Sequence, residues 1–307
     1  MVDPFLISKK IKMFPRAGIV WLIHTTRSKW IIRLLNKWTQ SNRRKVRAFA
    51  KYEPGKHDVI VATFGRSGTN WTLQIAYQIA HLGEGTFRHI NEVVPWPESF
   101  NSNIARLYNT SYRRTSPTVL RIIKTHLEKE YVPYSEHVKY ITVFRDPKEV
   151  FVSSYFFRGK GFTVEEWLEL FFSGGLTNGL NWARHTAGYW AWRNRPNVLL
   201  LTFNEMKRDL QEAVLRIADL MGVDLAPEQV EKVLKKSSFN YMKKNNHKFS
   251  SPKLSFFKKY HGVIVRRGRS GETSELLDDE QKSRIDRYCR ERLRQLGSDF
   301  PYNELFG

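Results

Sequence analysis

The chain predicts an α/β fold: a doubly wound parallel sheet flanked by helices, carrying a basic helical N-terminal extension. Three observations predict it. Four short apolar runs, near residues 59–64, 118–123, 138–144 and 198–203, alternate with helical patterns. The first run stops at the loop Gly65-Arg66-Ser67-Gly68-Thr69-Asn70, and Trp71 then opens a helix directly. Positive charge is concentrated ahead of that run, with thirteen Lys and Arg in residues 1–51 against one acid, Asp3. Apolar runs separated by helices read as parallel strands joined by crossovers.

A chain of 307 residues with 41% hydrophobic and 14% aromatic content can bury a large core, so one main domain at 52–307 is expected behind an extension at 1–51. The single cysteine, Cys289, excludes an internal disulfide framework and a multi-cysteine metal site, which fits a reducing, cytoplasmic compartment. The longest apolar run near the N-terminus, Ile19 to Ile23, falls far short of the ~20 residues that span a bilayer. Met1 to Lys10 lacks the basic start and long apolar core of a signal peptide, so none is expected. The formal charge of +21 suits an anionic partner and does not require nucleic acid.

Taken in order, Trp30, Ile31, Leu34, Leu35 and Trp38 recur at helical spacing among Arg27, Lys29, Arg33, Lys37 and Arg44. Such a helix lies on an anionic membrane surface, packs on its own domain, or belongs to an organelle-targeting segment. Lys51 to Lys56 reads as a linker. A helix is expected from Asn70 to Leu82, closed by Gly83. Residues 84–116 are irregular, and their Pro95-Trp96-Pro97-Glu98 segment is either a wall of an acceptor pocket or an ordinary packed loop. The second run ends at Lys124-Thr125-His126 and the third at Arg145-Asp146-Pro147, where a helix reaching Ser153 begins. The fourth passes into a helix expected over Asn204 to Met221. Two aromatic-rich helices are expected within 163–195, ahead of the fourth run, with an amphipathic one from Pro227 to Lys236 and a long charged one from Asp278 to Leu296 after it. Lys243 to Val265 shows no periodicity and reads as a lid.

In a parallel sheet, ligands bind beyond the carboxyl ends of the strands. Arg66, Lys124, His126 and Arg145 all fall at that edge, on three different strands. A strand that turns through glycines into a helix aims unpaired N–H groups at one point, where they hold an oxyanion. Arg66 adds charge to this cradle, and the Ser67 and Thr69 hydroxyls add donors. Two arginine sites and a lysine suggest a ligand with phosphates at two places. Trp71 and Phe239 suit stacking on an aromatic base. His126 beside Lys124 suits a general base for transfer to a hydroxyl or amine, with Lys124 and Arg66 stabilising charge on the leaving phosphate. A lone histidine is otherwise a structural hydrogen-bonder.

A metal-dependent kinase of P-loop type competes with this reading. Its loop, however, would carry Gly-Lys-Ser or Gly-Lys-Thr and a separate magnesium-binding Asp. Here Thr69-Asn70 follows Gly68, so no metal is expected. A basic membrane- or nucleic-acid-binding module is the third reading.

Five segments together carry a resemblance. Thr63 to Trp71 resembles the 5′-phosphosulfate loop of the cytosolic-type sulfotransferases, and Lys124-Thr125-His126-Leu127 their catalytic-histidine segment. Phe144 to Val150, continuing through Ser153-Ser154-Tyr155, is similar to their 3′-phosphate-binding strand and helix. Ser237-Ser238-Phe239-Asn240-Tyr241-Met242 and Arg266-Arg267-Gly268-Arg269-Ser270-Gly271 match the elements that close over the nucleotide. The resemblance implies a P-loop-type fold and, as co-substrate, 3′-phosphoadenosine 5′-phosphosulfate (PAPS). It implies His126 as base, with Arg66, Lys124 and Ser153 in the catalytic group. Arg145, Ser153, Arg266, Arg267 and Gly268 would hold the 3′-phosphate. Thr69, Asn70 and the loop backbone would hold the 5′-phosphate, with Trp71 and Phe239 against adenine, and Arg66, Ser67, Gly68, Phe203 and Ser237 would complete the nucleotide-binding set. Three departures stand out: Arg66 where lysine is usual, Phe203 where tyrosine is common, and no Lys-x-x-x-Thr-Val-x-x-x-Glu dimer motif after Gly271. The oligomeric state therefore stays open. The abundance of aromatics favours an apolar or amphiphilic acceptor, small molecule or lipid, with residues 1–51 bringing the enzyme to anionic membrane.

Overall fold

The computed structural model describes residues 42–50, 52–99, 104–159, 162–174, 181–249 and 272–307. The helix expected around Trp30 to Trp38 and most of the lid lie outside them.

Four parallel strands form the sheet: β1 (Asp58–Ala62), β2 (Arg121–Thr125), β3 (Lys139–Phe144) and β4 (Val198–Thr202). Their order is β2-β1-β3-β4, so the doubly wound parallel sheet is as expected. β1 is flanked on both sides, and its burial is complete along its length. Side chains alternate across the pleat. Ile60, Ala62, Tyr140 and Phe144 enter one core layer with Phe151, Trp167, Trp182 and Ile285. Val59, Val61, Ile141 and Val143 enter the other with Leu73, Ile79, Val214 and Ile217. A sheet covered on both faces needs continuously apolar strands, which is why the runs were legible.

The α-helices of five or more residues are α1 (Asn42–Ala48), α2 (Thr69–Ala80), α3 (Pro147–Ser154), α4 (Val164–Phe172) and α5 (Trp182–Trp190). After β4 come α6 (Phe203–Arg208), α7 (Leu210–Met221), α8 (Pro227–Ser237), α9 (Phe239–Lys244), α10 (Asp279–Gln295) and α11 (Tyr302–Phe306). α2 packs with α7 and α8 over one face, and α3 and α5 pack with α10 over the other.

The helix expected over Asn204 to Met221 is two helices. Asp209 interrupts the pattern by accepting the Glu212 N–H at 2.9 Å and so capping α7, a competition that short acids win at helix starts. Ser238 likewise starts α9, its hydroxyl accepting the Tyr241 N–H at 3.3 Å.

The segment read as a linker is anchored. The Tyr52 hydroxyl donates to Asp58 Oδ2 at 2.8 Å, and the Arg121 guanidinium grips both Asp58 oxygens at 2.7 and 2.9 Å. α1 also packs on the domain: Phe49 joins the core, and Lys45 Nζ lies 2.9 Å from Glu128 Oε2 with both side chains buried. Breaking such a buried pair leaves a charge unpaired.

His185 on α5 is 1% exposed, and neither ring nitrogen has a partner among the described residues. Phe64 and Tyr189 surround it. Burial holds its imidazole down to about 3, whereas in the unfolded chain it charges near its ordinary pKa of 6.5. The unfolded state therefore binds an extra proton between those values, and folding stability falls as pH drops through that window. Urea unfolding at a series of pH values is expected to show this loss in the unmodified protein. His185→Leu is expected to flatten it, so equal slopes for the two would refute the assignment.

Candidate active site

The site grows from the end of β1. Parallel pairing sets Val61 beside Lys124 and Ala62 beside Thr125. One residue on, the Thr63 N–H donates to the Thr125 carbonyl at 3.2 Å. His126 follows, and its Nδ1 sits 2.8 Å from the Thr63 carbonyl oxygen. A carbonyl only accepts, so Nδ1 carries the proton and Nε2 is the ring's acceptor.

Beyond Thr63, Gly68 takes φ +88° at the start of α2. The first helical bonds run from the Trp71 and Thr72 N–H groups to the Gly68 carbonyl, at 2.9 and 3.0 Å. The N–H groups of Gly68, Thr69 and Asn70 therefore stand at the mouth of the helix, outside its ladder. The Thr63 and Thr69 hydroxyls are 2.6 Å apart. Ser67 is fully buried, yet its hydroxyl has no partner among the described residues, and the same holds for Ser237. An orphaned buried hydroxyl at Ser67, beside the N-terminus of α2, is a donor that a phosphate ester satisfies.

Arg66 adopts φ +73°. Its carbonyl accepts Arg145 Nη1 at 2.9 Å, while its own Nε donates to Ser153 Oγ at 3.0 Å. Its guanidinium carbon lies 4.4 Å from the centre of the Phe157 ring. Arg145 in turn donates from Nε to Glu149 Oε2 at 2.9 Å and lies 4.3 Å over the Phe203 ring. Phe203 meets the Trp71 ring edge-on at 5.6 Å, and the Trp71 indole donates to the Ser237 carbonyl at 2.8 Å. Asn70 Nδ2 reaches the Phe249 carbonyl at 3.4 Å.

The structure thus brings Arg66, Ser67, Gly68, Thr69, Asn70, Trp71, Lys124, His126, Arg145, Ser153, Phe203 and Ser237 to one edge. Phe239 is 36% exposed, and its ring lies 5.8 Å from Lys243 Nζ. Arg266, Arg267 and Gly268 lie outside the described residues.

The Pro-Trp-Pro-Glu segment belongs to the site. The Lys124 N–H donates to the Pro95 carbonyl at 2.8 Å, and Lys124 Nζ lies 3.7 Å over the Trp96 ring. The Trp96 ring also meets the His126 ring edge-on at 5.4 Å. Glu98, missed as a site residue in the sequence, accepts the His126 N–H at 2.6 Å and the Thr125 hydroxyl at 3.2 Å. Burial pushes its carboxyl up, against the lowering effect of that N–H and of Lys124. The proline bracket was the available signal; it drew attention to the tryptophan alone.

Residues 56–297 match the sulfotransferase domain family. The chain belongs to that family. Sulfotransferase 2A1 of Macaca fascicularis is 30% identical over 256 residues, covering 80% of this chain and 87% of its own. An amine sulfotransferase of Oryctolagus cuniculus is 28% identical over 270 residues, 81% of this chain and 84% of its own. The crystal structure of a retinol dehydratase in a complex with retinol and PAP superposes with a TM-score of 0.65 at 20% identity, covering 85% of this chain and 87% of that one. That likeness shows the fold. The match sets the metal-dependent kinase reading aside, and this sulfotransferase is an enzyme of the transferase class. Among the described residues no three His, Cys, Asp or Glu cluster as a metal site, and no helix is long and apolar enough to cross a membrane.

A Cβ at position 68 would approach Phe203 Cδ2 to 2.9 Å, at a φ that side chains rarely adopt. Gly68→Ala in this sulfotransferase is expected to cost about 1–3 kcal/mol in chemical unfolding. Phe203→Ala in the same chain is expected to return the contact part and leave the dihedral part. A Gly68→Ala chain as stable as the original would overturn the geometry.

Proposed function

We propose that this sulfotransferase moves the sulfuryl group of PAPS onto a hydroxyl or amine of an apolar or amphiphilic acceptor, with His126 as general base. The observation that carries the reading is the bond from His126 Nδ1 to the Thr63 carbonyl. It fixes the tautomer whose Nε2 takes a proton, and it does so on the residue that leads into the oxyanion cradle. Support for the acceptor class comes from relatives named for an amine and bound to retinol, an apolar alcohol.

When bound, PAPS supplies a sulfuryl group activated by its link to phosphate. Around it, Ser67, Gly68, Thr69 and Asn70 would hold the 5′-phosphate, and Arg145, Ser153, Arg266, Arg267 and Gly268 the 3′-phosphate. Trp71, Phe203, Ser237 and Phe239 would frame adenine. The partnerless Ser67 and Ser237 hydroxyls fit this assignment. His126 Nε2 withdraws the acceptor proton, and Lys124 and Arg66 stabilise the charge that shifts onto the leaving phosphate. Ser153 takes part by holding Arg66 through its Nε. Lys124 is 8% exposed, so its charge acts in a poorly solvated setting where it is worth more than in water.

The basic residues ahead of α1 would bring the enzyme from the cytoplasm to an anionic membrane that carries lipid acceptors. Because Phe49 and Lys45 are buried against the domain, α1 belongs with the catalytic unit.

A screen of labelled sulfuryl donor against steroids, phenols, amines and long-chain alcohols tests the reaction. His126→Ala is expected to lose on the order of 10²–10⁴ in kcat while still binding PAP. Retained turnover in that variant would remove the base assignment. In sedimentation with anionic liposomes, the full chain is expected to partition more than one beginning at Asn42, with the difference fading at high salt. Equal partitioning would discard the membrane role.

A further inference from the structure

Arginine at position 66 raises a positional problem. Its guanidinium is a broad planar fork on a long flexible stem, and the left-handed backbone at φ +73° gives that stem no regular element to lie along. A charge-stabilising group gains from being fixed before the reaction begins. Two side chains on one short stretch of the chain supply the fixing. Ser153, near the end of α3, accepts from Nε at 3.0 Å. Four residues later Phe157 presents its ring 4.4 Å from the guanidinium carbon.

Positions four apart on a helix share a face. Here the second lies in the single wide turn Tyr155–Gly159, of π-helical form, that continues α3. Such turns re-aim side chains near sites. Tyr155 anchors the turn by donating its hydroxyl to the Phe162 carbonyl at 2.9 Å. Trp167 anchors its base by donating to Ser154 Oγ at 2.9 Å.

Resting on the transfer reaction proposed above, we infer that Phe157 is the positioning residue for Arg66, and that it is what suits this site to arginine. A ring holds a cation by its quadrupole without neutralising it, so the charge remains available to an anionic leaving group. A carboxylate in the same place would spend that charge. The contact favours arginine, whose planar guanidinium both stacks on an aromatic face and meets its quadrupole, over the compact lysine ammonium, which offers the ring only a point charge. Phe157 touches no reacting atom in this scheme. In this scheme it acts on the reaction through Arg66.

The test is a kinetic cycle on the full chain with PAPS and the best acceptor from the screen. Phe157→Leu is expected to lower kcat by about tenfold, the scale of a desolvated cation–ring contact. Its KM for PAPS should stay within about twofold, because the 5′-phosphate loop and Arg145 are untouched. Phe157→Tyr restores an aromatic face and is expected to recover most of the rate. In an Arg66→Lys background, Phe157→Leu is expected to change kcat less than twofold, since the stacked partner is already gone. Independent, multiplying effects of Phe157→Leu and Arg66→Lys would overturn the inference, and so would failure of the tyrosine to rescue. If the unmodified protein transfers no sulfuryl group to any acceptor, the reaction itself fails and the inference falls with it. That outcome is read before any substitution is made, so the two failures stay distinct.

Discussion

Everything at the site depends on how β1 ends. Thr63 lies one residue past the strand, still inside the sheet's hydrogen-bond register through its N–H to Thr125. Its carbonyl orients His126, and its hydroxyl meets Thr69 at the mouth of α2. One residue therefore sets both the imidazole and the turn that presents backbone N–H groups. A base must sit within hydrogen-bond reach of its proton, and a cradle must face the same point. Fixing both to a single buried strand end gives that precision without a mobile part.

The second constraint is electrostatic. Arg66, Arg145 and Lys124 converge on one edge, and like charges held close repel unless something offsets the cost. Each is placed over an aromatic ring: Phe157 at 4.4 Å, Phe203 at 4.3 Å and Trp96 at 3.7 Å. Arg145 also pairs with the Glu149 carboxylate. Rings steady cations while leaving their field intact. That suits a site whose ligand is an anion and whose leaving group gains negative charge.

The opposite edge of the sheet serves stability. Asp58 and Arg121 form their bidentate pair where β1 and β2 begin, joined by the Tyr52 hydroxyl. Arg66, Lys124 and Arg145 gather at the other end, in accord with parallel sheets, where ligands collect at the carboxyl ends of the strands.

The strands were legible because a sheet buried on both faces demands unbroken apolar runs, and the cradle was legible because only glycine adopts φ +88° without strain beside a close-packed ring. The four charged residues at the strand ends followed from counting along those runs. Less was visible where one short side chain decides: Asp209 splits an amphipathic pattern by capping, which periodicity does not register. Glu98 and Phe157 were not legible as partners of His126 and Arg66, since their contacts span 28 and 91 positions of sequence or more and depend on how loops fold over the sheet. The sequence by itself determined the strand pattern, the oxyanion loop and the family, because local periodicity and glycine placement are properties of neighbours in the chain. Only the tertiary structure decided which proton His126 keeps, which ring steadies each cation and that α1 packs on the domain, because these are contacts between surfaces that meet only after folding.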